Sequence, residues 1–236
     1  VSQSVPDNIG IMGGTFDPIH LGHLVTAETA RQAFHLRKVI FVPAGRPPHK
    51  QGQPITAAEH RFMMTVLATV SHPHFEVDRV EVDREGPSYS VDTVAFFREQ
   101  YRGSNLYFIT GADAVLEICS WHNCHRLLSM CRVVAATRPG YDLAGLSRLA
   151  DVVGEELFRR IVPLEVPALA ISSSDLRRQV AEGKSIRYLV PRAVEQYIQK
   201  HGLYRSPRER RAATGWGVVH IEGPILSGKA GEEEDA

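Results

Sequence analysis

Apolar residues along the chain fall into two alternating patterns: short, nearly continuous runs rich in branched side chains, and longer stretches with helical spacing. The runs at 9–13 (IGIMG), 38–43 (KVIFVP), 75–82 (FEVDRVEV), 105–111 (NLYFITG), 132–137 (RVVAAT) and 160–166 (RIVPLEV) predict six strands. Several are apolar on both faces, as expected of strands covered by helices on either side. Among the helical stretches, Thr56 with Glu59 three residues later reads as a capping box, and Met63, Val66, Leu67 and Val70 read as the apolar stripe of the helix that follows. Another helix is expected from about Pro191 to His201, with proline in its first turn and Gly202 as its stop. Strand and helix in alternation predict an α/β fold. Its form should be a doubly wound parallel sheet with helices on both faces and a small C-terminal helical part, binding ligands beyond the carboxyl ends of the strands.

Composition narrows the classes. With 27 basic and 27 acidic side chains in 236 residues, the chain lacks the basic excess of a dedicated nucleic-acid binder. Its apolar runs fall short of the roughly 20 residues that a membrane-spanning helix needs. The start, VSQSVPDN, has neither the basic region nor the apolar core of a signal peptide. Cys119, Cys124 and Cys131 are too few for a disulfide framework. A cytoplasmic protein without nucleic-acid or membrane partners is expected, with its oligomeric state, a homo-oligomer included, left open. Charge is uneven, however. Residues 206–236 carry four basic and six acidic side chains, so this segment holds −2 and the preceding 205 residues +2. Scattered glycines and a terminal GEEEDA add to this, predicting one domain over 1–205 and a flexible tail over 206–236.

The most informative stretch follows the first strand: Gly13-Gly14-Thr15-Phe16-Asp17-Pro18-Ile19-His20-Leu21-Gly22-His23, opening a helix that runs to about Phe34. Paired glycines let a backbone turn sharply and bring its amides close to phosphate oxygens. His20 and His23, three apart, share one face at the helix start, where unpaired amides and the helix dipole favour an anion. A plain tight turn would need neither two glycines nor two imidazoles. The glycine spacing does not make a dinucleotide-binding G-x-G-x-x-G. Far along the chain, Ile171-Ser172-Ser173-Ser174-Asp175-Leu176-Arg177 opens a second helix with three hydroxyls and an arginine. Serines there are commonly caps, but an arginine one turn in adds a charged donor for a polyphosphate.

GGTFDPIHLGH with ISSSDLR resembles the HxGH and ISSTxxR motifs of the nucleotidyltransferase superfamily. RPPHK (46–50), SYSVDT (88–93), GAD (111–113) and Trp121 further resemble the bacterial nicotinate-nucleotide adenylyltransferases. The likeness runs from about Ile9 to Tyr204; Ser174 stands where the pattern usually has threonine, keeping the hydroxyl. The resemblance implies transfer of AMP from ATP to nicotinic acid mononucleotide, giving deamido-NAD and pyrophosphate, with Mg²⁺ held mainly by ATP oxygens and no protein-bound metal. It implies a gripping role on the triphosphate for His20, His23 and Arg177, backbone contacts from Gly13, Gly14, Thr15 and Phe16, and a place for Ser172, Ser173 and Ser174 at the second helix start. Gly111 and Asp113 would meet the ribose or adenine of ATP, with Ile171 beside the base. Trp121 would stack on the nicotinate ring, with the segment Ser90-Val91 and His122 receiving its carboxylate. His49 and Lys50 belong to a loop that can close over phosphates, and Arg138 is a further candidate of that kind. Read without the resemblance, Trp121 is a half-buried core aromatic and Lys50 a solvated loop charge. Rival acceptors are nicotinamide mononucleotide and phosphopantetheine, and a non-catalytic nucleotide sensor of the same fold is a rival of another class.

Three other signals are set aside. Cys119, His122, Cys124 and His125 lack the spacing of a zinc site. Gly183-Lys184-Ser185 and Gly228-Lys229-Ala230 suggest a P-loop, but the first lacks its leading glycine and the second its hydroxyl.

Overall fold

The structure, a computed structural model, describes residues 6–50, 52, 54–140 and 144–205. The predicted tail, 206–236, lies outside the described residues. Six strands, β1 (Asn8–Gly14), β2 (Lys38–Pro43), β3 (Phe75–Val77), β4 (Asn105–Gly111), β5 (Arg132–Thr137) and β6 (Ile161–Glu165), form one sheet in the order β3-β2-β1-β4-β5-β6. Every pairing is parallel. The chain runs outward from β1 to β3 and then returns to lay β4 on the other side of β1. That reversal opens a crevice at the carboxyl ends of β1 and β4, where ligands bind in open α/β sheets.

The main helices are α1 (Leu21–Ala33), α2 (Ala58–Thr69), α3 (Ser90–Gln100), α4 (Cys124–Met130), α5 (Ser173–Ala181) and α6 (Arg192–Lys200). Side chains leave a strand on alternate faces, so the apolar runs feed two cores. Phe108 joins Ile11, Val133, Phe97 and Leu127 on the α3 and α4 side. Its neighbour Ile109 joins Phe41, Val134, Ala27, Met64, Leu176 and Ile198 on the side of α1, α2, α5 and α6. The continuous hydrophobicity of the strands is thus explained by burial on both faces.

Some expectations need correction. The third run, predicted as a strand over 75–82, pairs only over Phe75–Val77; Asp78 Oδ1 then accepts the Val80 amide at 2.8 Å and the chain coils into a short helix, Val80–Asp83. The sixth strand is one residue shorter at each end than 160–166. In α2 the N-cap is Ala57 and no side chain caps the helix, so the Thr56/Glu59 capping box does not form. The Thr56 amide donates to Asp17 Oδ2 instead, and Glu59 pairs with Arg79. The predicted stripe holds only in part: Leu67 packs against the core, but Met63 and Val70 are exposed, and the buried face is Arg61, Met64, Thr65, Ala68 and Thr69. Pro191 is the N-cap of α6 rather than part of its first turn, while Gly202, with φ 57°, follows its C-cap His201 as expected of a stop. Gly183, with φ 70°, likewise ends α5, where the Gly183 and Lys184 amides reach back to Val180 and Gln179. The Gly-Lys-Ser at 183–185 is therefore a helix terminus.

Candidate active site

The loop between β1 and α1 is built by close packing. A Cβ on Gly14 would sit 2.9 Å from the Phe16 ring, and one on Gly13 would sit 3.2 Å from Phe108. Phe16 itself has φ 48° and a ring that is fully packed, with its edge on His23 (5.1 Å between centroids) and against Phe41. Its side chain thus supports the histidine from behind.

His20 is the N-cap of α1, and its amide donates to Nδ1 of His23 at 3.2 Å. A neutral His23 that accepts at Nδ1 carries its proton on Nε2, as a donor. The two rings stack at 3.8 Å. A Cβ on Gly22 would approach His20 Nδ1 to 3.0 Å, so this glycine makes room for the imidazole pair. Burial depresses both basicities: His20 to about 4, and His23 well below its usual value, with the neighbouring His20 adding to the effect. The pair is neutral at pH 7.

The unpaired amides expected at the start of α1 are mostly in use. Leu21 donates to the Leu189 carbonyl (3.0 Å), and His23 and Leu24 turn back to the His20 carbonyl. The loop leading into α6 docks on this helix end and takes up one of its donors. The start of α5 is joined to the loop between β1 and α1. Ser172 caps α5 by accepting the Asp175 amide, Ser173 Oγ donates to the Pro18 carbonyl (2.9 Å), and Arg177 donates to the Asp17 carbonyl (2.8 Å) and to Ser174 Oγ (3.3 Å). The two motifs, about 150 residues apart in sequence, thus meet through direct hydrogen bonds.

Between them lies a cleft of about 630 Å³ at the carboxyl ends of β1, β4 and β5. His20, Gly22, His23, Lys50, Gly111, Asp113, Arg138, Ile171, Ser172, Ser173 and Ser174 line it, all of them predicted from sequence. Met12, Thr26, Thr137, Val166, Pro167 and Leu169 line it as well and were not foreseen. They are small or apolar side chains whose role comes only from position. Gly13, Gly14, Thr15, Phe16 and Arg177, also expected there, are not part of this lining, although Arg177 donates to Ser174 Oγ, which is. A second cavity of about 600 Å³ is lined by Pro48, Ser88, Tyr89, Ser90, Ala114, Glu117, Ser120, Trp121 and His122. Val91 is buried at the start of α3 beneath it. Trp121 is half-buried and edge-on to Phe108, as expected of a core aromatic, and it also lines the cavity. His122 lies against Tyr89 at 4.5 Å. The cavities adjoin across the short helix Ala112–Leu116, whose Asp113 faces one and Ala114 the other. His49 sits in a single helical turn, Pro48–Lys50; its side chain lies outside the described residues.

Lys50 is half-buried, and burial, with Arg177 nearby, lowers its ammonium pKa against the opposing pull of Asp17. A cation in that state gains from an incoming anion. Among the described residues, no three His, Cys, Asp or Glu side chains converge as metal ligands.

Because the unfolded chain takes up protons near 6.5 and folded His20 only near 4, acid favours unfolding. This contribution to stability is complete above about pH 6.5 and is lost as the pH falls toward 4. Melting temperatures from pH 7 to pH 4 should fall for the parent and fall less for His20→Asn. Parallel curves would disprove the linkage.

A family described as cytidylyltransferase-like matches residues 11–179. A Moorella thermoacetica protein named a probable nicotinate-nucleotide adenylyltransferase is 59% identical over 85% of this chain and 93% of its own length. A namesake from Thermus thermophilus is 49% identical over 84% and 99%. The solved structure of Plasmodium falciparum nicotinic acid mononucleotide adenylyltransferase complexed with NaAD superposes with a TM-score of 0.66 at 19% identity, covering 84% of this chain and 97% of that one, which shows a common fold. With that extent of identity and both motifs meeting at one cleft, the chain belongs to the nicotinate-nucleotide adenylyltransferase family, within the cytidylyltransferase-like proteins.

Proposed function

We propose that the protein joins ATP in the first cavity to nicotinic acid mononucleotide in the second, forming deamido-NAD and pyrophosphate. The observation that carries this reading is the adjacency of a phosphate-type cleft and an aromatic cavity across one short helix. An oxygen of the mononucleotide phosphate attacks the α-phosphorus of ATP, a new P–O bond forms, and the α–β bridging bond breaks to release pyrophosphate. A phosphate monoester with its second pKa near about 6 is already mostly dianionic at neutral pH, so no protein base is required. The protein must align two anions and stabilise charge on the α-phosphate and the leaving group.

In this proposal His20 and His23 donate from neutral imidazoles, while Lys50, Arg177 and Arg138 supply positive charge. Gly13, Gly14, Thr15, Phe16 and the starts of α1 and α5 shape the phosphate site. Gly111, Asp113 and Ile171 take the nucleoside of ATP. Ser90, Val91 and His122 take the acceptor carboxylate, Trp121 stacks on its ring, and His49 lies with Lys50 on the loop beside both cavities. Magnesium comes with ATP in this reading, held mainly by the phosphate oxygens of the nucleotide. The reaction takes place in the cytoplasm; the three unpaired cysteines suit that compartment.

The test is pyrophosphate release from ATP with nicotinic acid mononucleotide, nicotinamide mononucleotide and phosphopantetheine in turn. Turnover should be fastest with the first. ATP binding without turnover on any acceptor would identify a nucleotide sensor instead. Trp121→Ala should raise KM for the acceptor by about 10-fold, a value within the range of ring stacking on an aromatic side chain, and leave KM for ATP unchanged. Equal shifts in both constants would remove Trp121 from the acceptor site.

A further inference from the structure

The largest fully buried side chain is a charged one, Arg61 on the first turn of α2, at 1% exposure. A buried guanidinium is costly unless its donors are satisfied. Arg61 satisfies them on backbone: Nη1 donates to the Thr15 carbonyl (2.8 Å), Nη2 to the Gly45 carbonyl (3.1 Å) and Nε to the Thr56 carbonyl (2.8 Å). Asp17 and Glu81 favour its charge from nearby, against the burial that opposes it. These three carbonyls belong to different parts of the site. Thr15 is in the glycine-rich loop before His20. Gly45 and Thr56 bracket the segment that carries Lys50.

The segments at Gly45 and Thr56 are tied onward to the cavities. Next to Gly45, the Arg46 amide donates to Ser88 Oγ (3.1 Å) and the Ser88 amide to the Arg46 carbonyl (3.0 Å), and Ser88 lines the aromatic cavity. The Thr56 amide reaches Asp17 Oδ2 (3.2 Å), and the Asp17 carbonyl holds Arg177. A rigid planar fork with fixed donor directions can set three strands of backbone relative to one another, which a single-point ammonium cannot do.

We infer that Arg61 is a positioning residue for adenylyl transfer, which holds the glycine-rich loop and the Lys50 loop in register so that the two reacting phosphates line up. It lines neither of the two cavities assigned to the substrates. The inference rests on the adenylyltransferase reading above. Displacing reacting groups by about 1 Å costs on the order of 100-fold in rate, so alignment should appear in kcat more than in KM.

The test uses Arg61→Lys, Lys50→Ala and the double variant in the full chain, with turnover expressed per folded molecule at a temperature well below each melting transition. Arg61→Lys should lower kcat at least 10-fold and change both KM values less than about threefold. The Lys50→Ala effect should be markedly smaller in the Arg61→Lys background, because Lys50 would already be misplaced; groups that act together are not additive. A kcat per folded molecule within twofold of the parent, or the same factor for Lys50→Ala in both backgrounds, overturns the inference. If Arg61→Lys does not fold, Arg61→Gln is measured in the same way, and failure of both to fold assigns Arg61 to stability alone. Parent protein that releases no pyrophosphate would refute the adenylyltransferase reading instead; the same variants compared by ATP affinity then test the register on its own.

Discussion

Replacing His23 by alanine is expected to lower kcat by about 10²- to 10³-fold, the range found when one preorganised donor to developing charge is removed. The side chain is prepared for that role before any ligand arrives. Its Nδ1 is occupied by the His20 amide, the edge of Phe16 packs on its ring and His20 stacks beside it, so the remaining Nε2 proton is held in a fixed place on the cleft wall. Burial keeps the ring neutral, and it remains so well into the acid range. A donor of this kind does not depend on being charged, and its effect on turnover should be nearly flat from pH 8 down to the onset of acid unfolding. Pyrophosphate release measured alongside the circular dichroism of the variant checks the point. A kcat within threefold of the parent, with the fold intact, would reduce His23 to a packing residue.

The second large effect is on stability. Gly45→Ala would place a Cβ 2.0 Å from the Glu81 carbonyl oxygen and 2.9 Å from its carbon. These are backbone atoms that no rotamer change can move aside, so the loop or the Val80–Asp83 helix must shift. The expected loss is about 3 kcal/mol, the upper end of overpacking costs, equivalent to roughly 6–12 °C in melting temperature for a domain of this size. A shift there also pulls on the Gly45 carbonyl held by Arg61 and on the Arg46 pairing with Ser88, so KM for the acceptor should rise in whatever folds. Gly86→Ala is the control: it has φ 87° but nothing within 4 Å of its added Cβ, and should cost only the left-handed backbone, about 1 kcal/mol. Equal melting temperatures for the two variants would show that the crowding at Gly45 is relieved without cost.

What could be read from sequence was local. The strands are continuous apolar runs because both faces are buried, and the two motifs at the cleft are short segments, each legible from residues close together in sequence. The site residues foreseen at the cleft come from those segments and from strand ends. Arg61 was missed for a physical reason that also explains the misread stripe of α2. Its neighbours on the buried face, Thr65 and Thr69, donate to the carbonyls one turn back, Arg61 O at 2.8 Å and Thr65 O at 2.9 Å. Satisfied in this way they bury like apolar groups, while Met63 and Val70, which look apolar in sequence, face solvent. A hydrophobic pattern cannot see a hydrogen bond, and the partners of Arg61 lie as far as 46 positions away. The over-long third strand has a similar cause, since alternation continues through 80–82 but the Asp78 side chain turns the chain. The amides of α1 were misjudged because the loop that uses one of them, at Leu189, is distant in sequence.

Asp17 has one more partner, and it dates the completion of the site. Its Oδ1 accepts the hydroxyl of Tyr204, 187 positions later, at 2.8 Å. Asp17 also holds the Thr56 amide and the guanidinium of Arg177, so the loop that follows the first strand is closed by a residue far along the chain. On a ribosome that adds about 5–20 residues per second, the glycine-rich loop waits roughly 10–40 s for Tyr204 to be made. During that interval the nascent chain carries both histidines without the tyrosine that fastens their loop.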